Sequence, residues 1–109
     1  MLDFVSLSKE RYTAKHYDPN RTISKEDLDK LLEILRLTPS AVNAQAWKFF
    51  VGSRKSKDLI LPAICDFNHD RIQNCSHFVV LCAQTQLDTD SYKAITVKEE
   101  ADGRYPNHP

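Results

Sequence analysis

A chain of 109 residues with 15 Lys plus Arg against 15 Asp plus Glu is sized for one domain and carries no net field, so bulk charge offers nothing to a polyanion and nucleic acid is not an expected partner. No apolar run approaches the roughly 20 residues that cross a bilayer. Asp3, Lys9, Glu10 and Arg11 interrupt the N-terminal segment, which therefore reads as no signal peptide, and the chain as soluble and cytoplasmic with no membrane partner.

In chain order, Leu2, Phe4, Val5 and Leu7 predict a short helix from Leu2 to about Glu10, followed by the tract Arg11-Tyr12-Thr13-Ala14-Lys15. A second helix should start behind Ser24 as N-cap, with Glu26 and Asp27 on the helix dipole and Leu28, Leu31, Leu32 and Leu35 on one face. It should end near Leu37, because Pro39 disfavours helical geometry at Thr38. Pro39 to Trp47 (P-S-A-V-N-A-Q-A-W) then forms a turn-rich loop ahead of an aromatic strand at 47–51.

The segment from Ser53 to Cys65 reads as a crossover helix disturbed by Pro62, and 77–83 as an almost continuously apolar strand covered on both faces. Strand, helix, strand implies a parallel pair with a right-handed connection. A last helix is expected from Thr89 to Ala101, with Asp88 or Asp90 near its start and Gly103 near its end, followed by open loop from Arg104. Two strands are too few for an independently stable sheet covered on both faces, so more sheet is expected from elsewhere.

Cys65, Cys75 and Cys82 form an odd set without a C-x-x-C pair, which argues against a disulfide framework and a zinc site and suits a reducing cytoplasm. His16, His69, His77 and His108 lack metal-ligand spacing, so no metal is expected. The tract 11–15 places two cations around a hydroxyl. Arg11 offers a planar fork for a phosphate and Lys15 a compact charge for an electron-accepting ring. The plainer reading is that an Arg and a Lys after a helix cap its carbonyls and face solvent.

The ordered set R-Y-T-A-K, then P-S-A-V-N-A-Q-A-W before a strand, then Phe67-Asn68-His69-Asp70-Arg71, then Ser76-His77 before an apolar strand, resembles the oxygen-insensitive branch of the nitroreductase family. The likeness extends through Glu99-Glu100-Ala101-Asp102-Gly103-Arg104-Tyr105 and so covers nearly the whole chain. It implies an α+β, nitroreductase-like fold with helices around a central mixed sheet. Residues 1–109 would be the N-terminal portion of a single such domain, cut short relative to the family.

The resemblance further implies an FMN cofactor, NAD(P)H as electron donor, and ping-pong transfer to a nitroaromatic, a quinone or a similar small-molecule acceptor. Arg11, Tyr12, Thr13 and Lys15 would form one cofactor-binding tract, with Arg11 on phosphate and Thr13 and Lys15 on phosphate, ribityl or ring atoms. Asn68 and Arg71 would reach the ring's polar edge. Pro39, Ser40, Ala41 and Asn43 would serve the partner subunit's flavin in a homodimer. No catalytic nucleophile is implied.

Each residue also has a plainer role: Asn43 as a turn hydrogen bond, Ser40 as a helix cap, Asn68 with Arg71 as a loop pair, Trp47 as core, and Cys75 and Cys82 as apolar fillers. Thr13, Ala46 and Arg71 stand where the family commonly has serine, proline and lysine. The competing readings are an inactive fragment that serves only as a dimerisation or partner-binding module, and a small helix-rich regulatory domain that binds no flavin.

Overall fold

The computed structural model describes residues 3–105. Leu2 and residues 106–109, expected in the first helix and the last loop, lie outside them. In order come helix α1 (Phe4–Glu10), helix α2 (Lys25–Arg36), strand β1 (Trp47–Ser53), helix α3 (Lys57–Ile60), helix α4 (His69–Asn74), strand β2 (His77–Ala83) and helix α5 (Thr89–Ala101). No helix among the described residues is long and apolar enough to cross a membrane.

Side-chain caps start the longer helices where the sequence places them. Ser24 Oγ accepts from the Asp27 N–H at 3.1 Å, and Leu37 is the C-cap of α2. Asp88 accepts from the Ser91 N–H at 2.8 Å at the start of α5. At its far end Gly103 takes φ 80°, its N–H donates to Glu100 O, and the Arg104 N–H donates to Glu99 O. That pair of bonds is a Schellman closure, which needs the left-handed conformation that glycine adopts without steric cost. The turn folds Arg104 and Tyr105 back toward the helix they follow.

The expected crossover helix is broken into short pieces: one turn at Arg54–Ser56, α3, and another turn at Leu61–Ala63 containing Pro62. The expectation of a parallel pair is corrected by the sheet itself. Ala46 O accepts from the Gln84 N–H and Ser76 O from the Arg54 N–H, so the partners run in opposite directions and the two-stranded sheet is antiparallel. The continuous apolarity of β2 does not bring cover on both faces. In the chain its burial alternates, with Val80 and Cys82 half-buried and Val79 and Leu81 at 42% and 72% exposure.

The chain divides into two compact units. The first comprises residues 3–23 and 52–78, and it holds Cys75, the one buried hydrophobic side chain among the described residues. The Cys75 thiol donates to Ile72 O, and burial pushes its pKa up, so it acts as a small filler, not a thiolate. Arg54 organises this unit. Its guanidinium donates to the carbonyls of Pro19, Arg21 (2.9 Å), Asn74 (3.2 Å) and Cys75 (3.3 Å), pinning the loop after α1 to the end of α4. Arg54→Ala should cost about 2 kcal/mol of stability, because hydrogen bonds from a charged donor are worth roughly 1.5–3 kcal/mol and only part is recovered by water. Urea unfolding of both proteins measures this, and equal midpoints would remove the clamp. Arg54→Lys should recover less than half, since an ammonium lacks the fork.

The second unit comprises residues 24–51 and 79–105. In α2, Leu28, Leu32 and Leu35 are half-buried at helical spacing, while Leu31 and Ile34 are exposed. Trp47 is half-buried with its ring centroid 5.9 Å from that of Phe49, as a packing residue would be. On α5, Ser91, Ile95 and Glu99 form a half-buried stripe. A carboxylate on that stripe must find partners.

Candidate functional site

Within the first unit, α1 ends at Glu10 and Arg11 caps it, its N–H donating to Leu7 O at 2.9 Å before the backbone leaves helical geometry. The side chain then turns to Thr13, Nη1 donating to Oγ1 at 3.0 Å. Because Thr13 accepts this bond, its own proton stays available, so a guanidinium and a hydroxyl are presented side by side to an anionic oxygen. Among the described residues neither Arg11 nor Lys15 forms an ion pair. Their charge is not spent on the chain's own carboxylates.

Arg71, half-buried on α4, joins a second group. Its Nε donates to the Lys15 carbonyl at 3.3 Å and its Nη1 to Asn68 Oδ1. His16 Nδ1 lies 3.7 Å from Asp70 Oδ2 at the same join. The structure thus brings Lys15, Asn68 and Arg71 together and pairs Arg11 with Thr13, while Tyr12 is 79% exposed. An open hollow of about 440 Å³ lies beside Arg11, lined also by Phe4, Leu7, Ser8 and Glu10. The donor set suits a phosphate-bearing cofactor: two cations without an ion pair among the described residues, a hydroxyl and a half-buried amide, with Glu10 the carboxylate that lines the hollow beside Arg11.

The second unit holds the loop at 39–45. Ser40 Oγ accepts from the Gln45 N–H at 2.9 Å, so this hydroxyl closes the loop and does not cap a helix. The Asn43 N–H donates to Ser40 O and the Ala44 N–H to Ala41 O, both at 3.0 Å. Val42, Asn43 and Gln45 have φ of 48°, 52° and 47°. Asparagine tolerates this region, but β-branched valine is strained there. Pro39 and Ala41 sit at the loop's entry and are exposed.

Asn43 is held from both ends. Its Nδ2 donates to Glu99 Oε1 at 2.6 Å and its Oδ1 accepts from Gln45 Nε2 at 2.8 Å. Glu99 also accepts from Tyr105 Oη at 2.8 Å and from Arg104 Nη1. The Asn43 bond, then that of Tyr105, hold the Glu99 carboxyl below its usual range, with the Arg104 charge adding to them. The same contact raises the Tyr105 hydroxyl. Sequence reasoning assigned no role to Glu99 or Arg54. The only local signal for Glu99 is its place on the Ile95 stripe, just ahead of Gly103 and Arg104.

Comparison with known proteins sets these groups in context. The model of the nitroreductase family matches residues 8–102. An oxygen-insensitive NAD(P)H nitroreductase of Salmonella typhimurium is 33% identical over 108 residues, 95% of this chain and 50% of its own. A major NAD(P)H-flavin oxidoreductase of Aliivibrio fischeri is 39% identical over 98 residues, 86% of this chain and 45% of its own. The chain therefore spans about half the length of these curated relatives. Among solved structures, an enone reductase of gut-bacterial fatty acid saturation, CLA-ER, aligns with a TM-score of 0.69 at 28% identity, over 93% of this chain and 48% of its own. A protein of Exiguobacterium sibiricum 255-15 solved in complex with FMN aligns with a TM-score of 0.65 at 27% identity, over 100% of this chain and 59% of its own.

Proposed function

This chain belongs to the nitroreductase family, and from that premise we propose that it works as part of an FMN-dependent oxidoreductase passing two electrons from NAD(P)H to a nitroaromatic, a quinone or a similar small acceptor. One cavity would serve donor and acceptor in turn, by a ping-pong mechanism. The observation that carries the reading is the union, within one unit, of the Arg11–Thr13 pair with the Arg71 bridge from Asn68 to Lys15. The names of the flavin and NAD(P)H relatives, and the FMN-bound neighbour, support the choice of cofactor.

Bound FMN would supply the two-electron chemistry, and the chain's own residues would hold and bias it. Arg11 and the Thr13 hydroxyl bind phosphate. The Lys15 ammonium favours negative charge at the ring, and Arg71 keeps both Lys15 and Asn68 in place. Tyr12 flanks these groups in the same tract. Pro39, Ser40, Ala41 and Asn43 would meet the flavin of the partner subunit in a homodimer. Residues 1–109 correspond in this reading to the N-terminal portion of a single domain. A reducing cytoplasm suits three free cysteines, Cys65, Cys75 and Cys82.

The test is the visible absorbance of the purified 109-residue chain after gel filtration, with and without added FMN. Flavin bands co-eluting near one per chain are expected, and NAD(P)H oxidation would then be assayed. Protein that stays colourless after FMN is added overturns the cofactor reading for this chain. A second reading, a partner-binding module, is favoured by large apolar side chains left open: Phe4, Leu59 and Phe67 at 73%, 87% and 77% exposure. It predicts oligomers without flavin in the same elution.

A further inference from the structure

We propose that Glu99 is a positioning residue for the 40–45 loop, setting the orientation of Asn43 and through it the backbone that the reading above turns toward a flavin. The proposal rests on that reading only for its ligand.

The geometry is directional. A carboxylate accepts hydrogen bonds and cannot donate them, so Glu99 obliges Asn43 to turn its NH₂ toward α5, at 2.6 Å. The amide oxygen is thereby left facing Gln45, whose Nε2 donates to it at 2.8 Å. Swapping the two ends of Asn43 would set oxygen against carboxylate and amide against amide, losing both bonds. Asn43 and Gln45 are two of the three left-handed residues of the loop, at φ 52° and 47°. One carboxylate thus fixes a conformation that the loop's local preferences oppose.

Glu99 is itself fixed. Its side chain is 12% exposed, and the groups that meet it are Asn43 from the loop and Arg104 and Tyr105 from the segment after α5. The Gly103 turn delivers the last two, so a glycine closure, a carboxylate, an asparagine and a strained loop form one chain of cause within the second unit.

The experiment compares wild type with Glu99→Gln and Glu99→Ala by two readouts. The first needs no flavin: the Asn43 side-chain amide and the backbone amides of residues 42–45 are followed by ¹H–¹⁵N NMR across acid pH. Glu99 has a lowered pKa, so its hold is complete above the ordinary carboxylate pKa and is lost as pH falls through the depressed value. In wild type the Asn43 resonances should follow that titration, and in Glu99→Gln they should not. Resonances that do not titrate in wild type, or that titrate equally in Glu99→Gln, overturn the proposal.

The second readout is FMN affinity by fluorescence quenching. Glu99→Ala should bind between about tenfold and about 100-fold more weakly, the range seen when a supporting residue behind a ligand contact is lost, and Glu99→Gln should bind at an intermediate level. Protonation of the FMN phosphate lowers affinity at acid pH in both proteins, and below that step the wild-type affinity should fall further while that of Glu99→Gln should not; parallel pH profiles overturn the proposal. If wild type takes up no FMN, the cofactor reading fails while the NMR result still decides the role of Glu99. If the loop resonances respond but FMN affinity is unchanged, positioning through Asn43 onto a flavin is overturned.

Discussion

On the reading proposed above, Arg11→Ala should weaken FMN binding by about 100-fold while leaving riboflavin binding nearly unchanged, because hydrogen bonds from a charged donor are worth roughly 1.5–3 kcal/mol each and, of the ligand's groups, this one would meet only the phosphate. The structure motivates the size. Arg11 is set beside Thr13 at 3.0 Å without an ion-pair partner among the described residues, so no carboxylate there has to be displaced for its guanidinium to meet an anion. Riboflavin carries the same ring without the phosphate, which makes it the control. Lys15→Ala, at the other end of the tract, should weaken both ligands in similar proportion if its ammonium lies by the ring. Titrating the two variants against the two ligands gives four numbers. Equal losses of FMN and riboflavin affinity in Arg11→Ala would remove Arg11 from the phosphate. The FMN effect should also shrink as salt rises, since both charges are exposed.

What the sequence made legible follows the range of the interactions concerned. Helices α2 and α5 were readable to within a residue or two because their determinants are local: Ser24 and Asp88 as caps, leucines at helical spacing, Gly103 as terminator. The Arg11–Thr13 pair was open to a sequence reading because the two lie two positions apart in the chain. The sense of the strand pair was not, because parallel and antiparallel pairings share the same composition, and only the bonds joining Ala46 to Gln84 and Arg54 to Ser76 decide between them. Glu99 escaped for the same reason: its partner Asn43 lies 56 positions away, and its place on the Ile95 stripe marks a half-buried carboxylate without saying which group will meet it. Arg54 was invisible because its acceptors are backbone carbonyls, which every residue carries.

The two glycines of the chain make the point at the level of single atoms, and one of them sets the second large effect. Gly52→Val should destabilise the protein by about 3 kcal/mol, the upper end of what overpacking costs. Gly52 on β1 lies across from Phe78 on β2, and a Cβ at position 52 would fall 2.1 Å from Phe78 Cζ and within 2.6 Å of two further ring atoms. The aromatic ring occupies the place of the missing side chain, so any substitution must expel it. Even Gly52→Ala should be destabilising, although alanine restricts the unfolded chain and would be favourable by about 0.4–1 kcal/mol at an open site. Gly103 has the opposite basis: nothing lies within 4 Å of its Cβ position, and its need is the φ of 80°. Gly103→Ala should therefore cost about 1 kcal/mol whatever its neighbours are, the steric penalty of a Cβ in the left-handed region. A double-mutant cycle separates the two causes. Combining Gly52→Ala with Phe78→Ala removes the clash and should recover about 1–2 kcal/mol of coupling, whereas Gly103→Ala with Phe78→Ala should be additive. Additivity in both pairs would mean that Phe78 does not pack on Gly52, and with it would go the strand register that sets one across from the other.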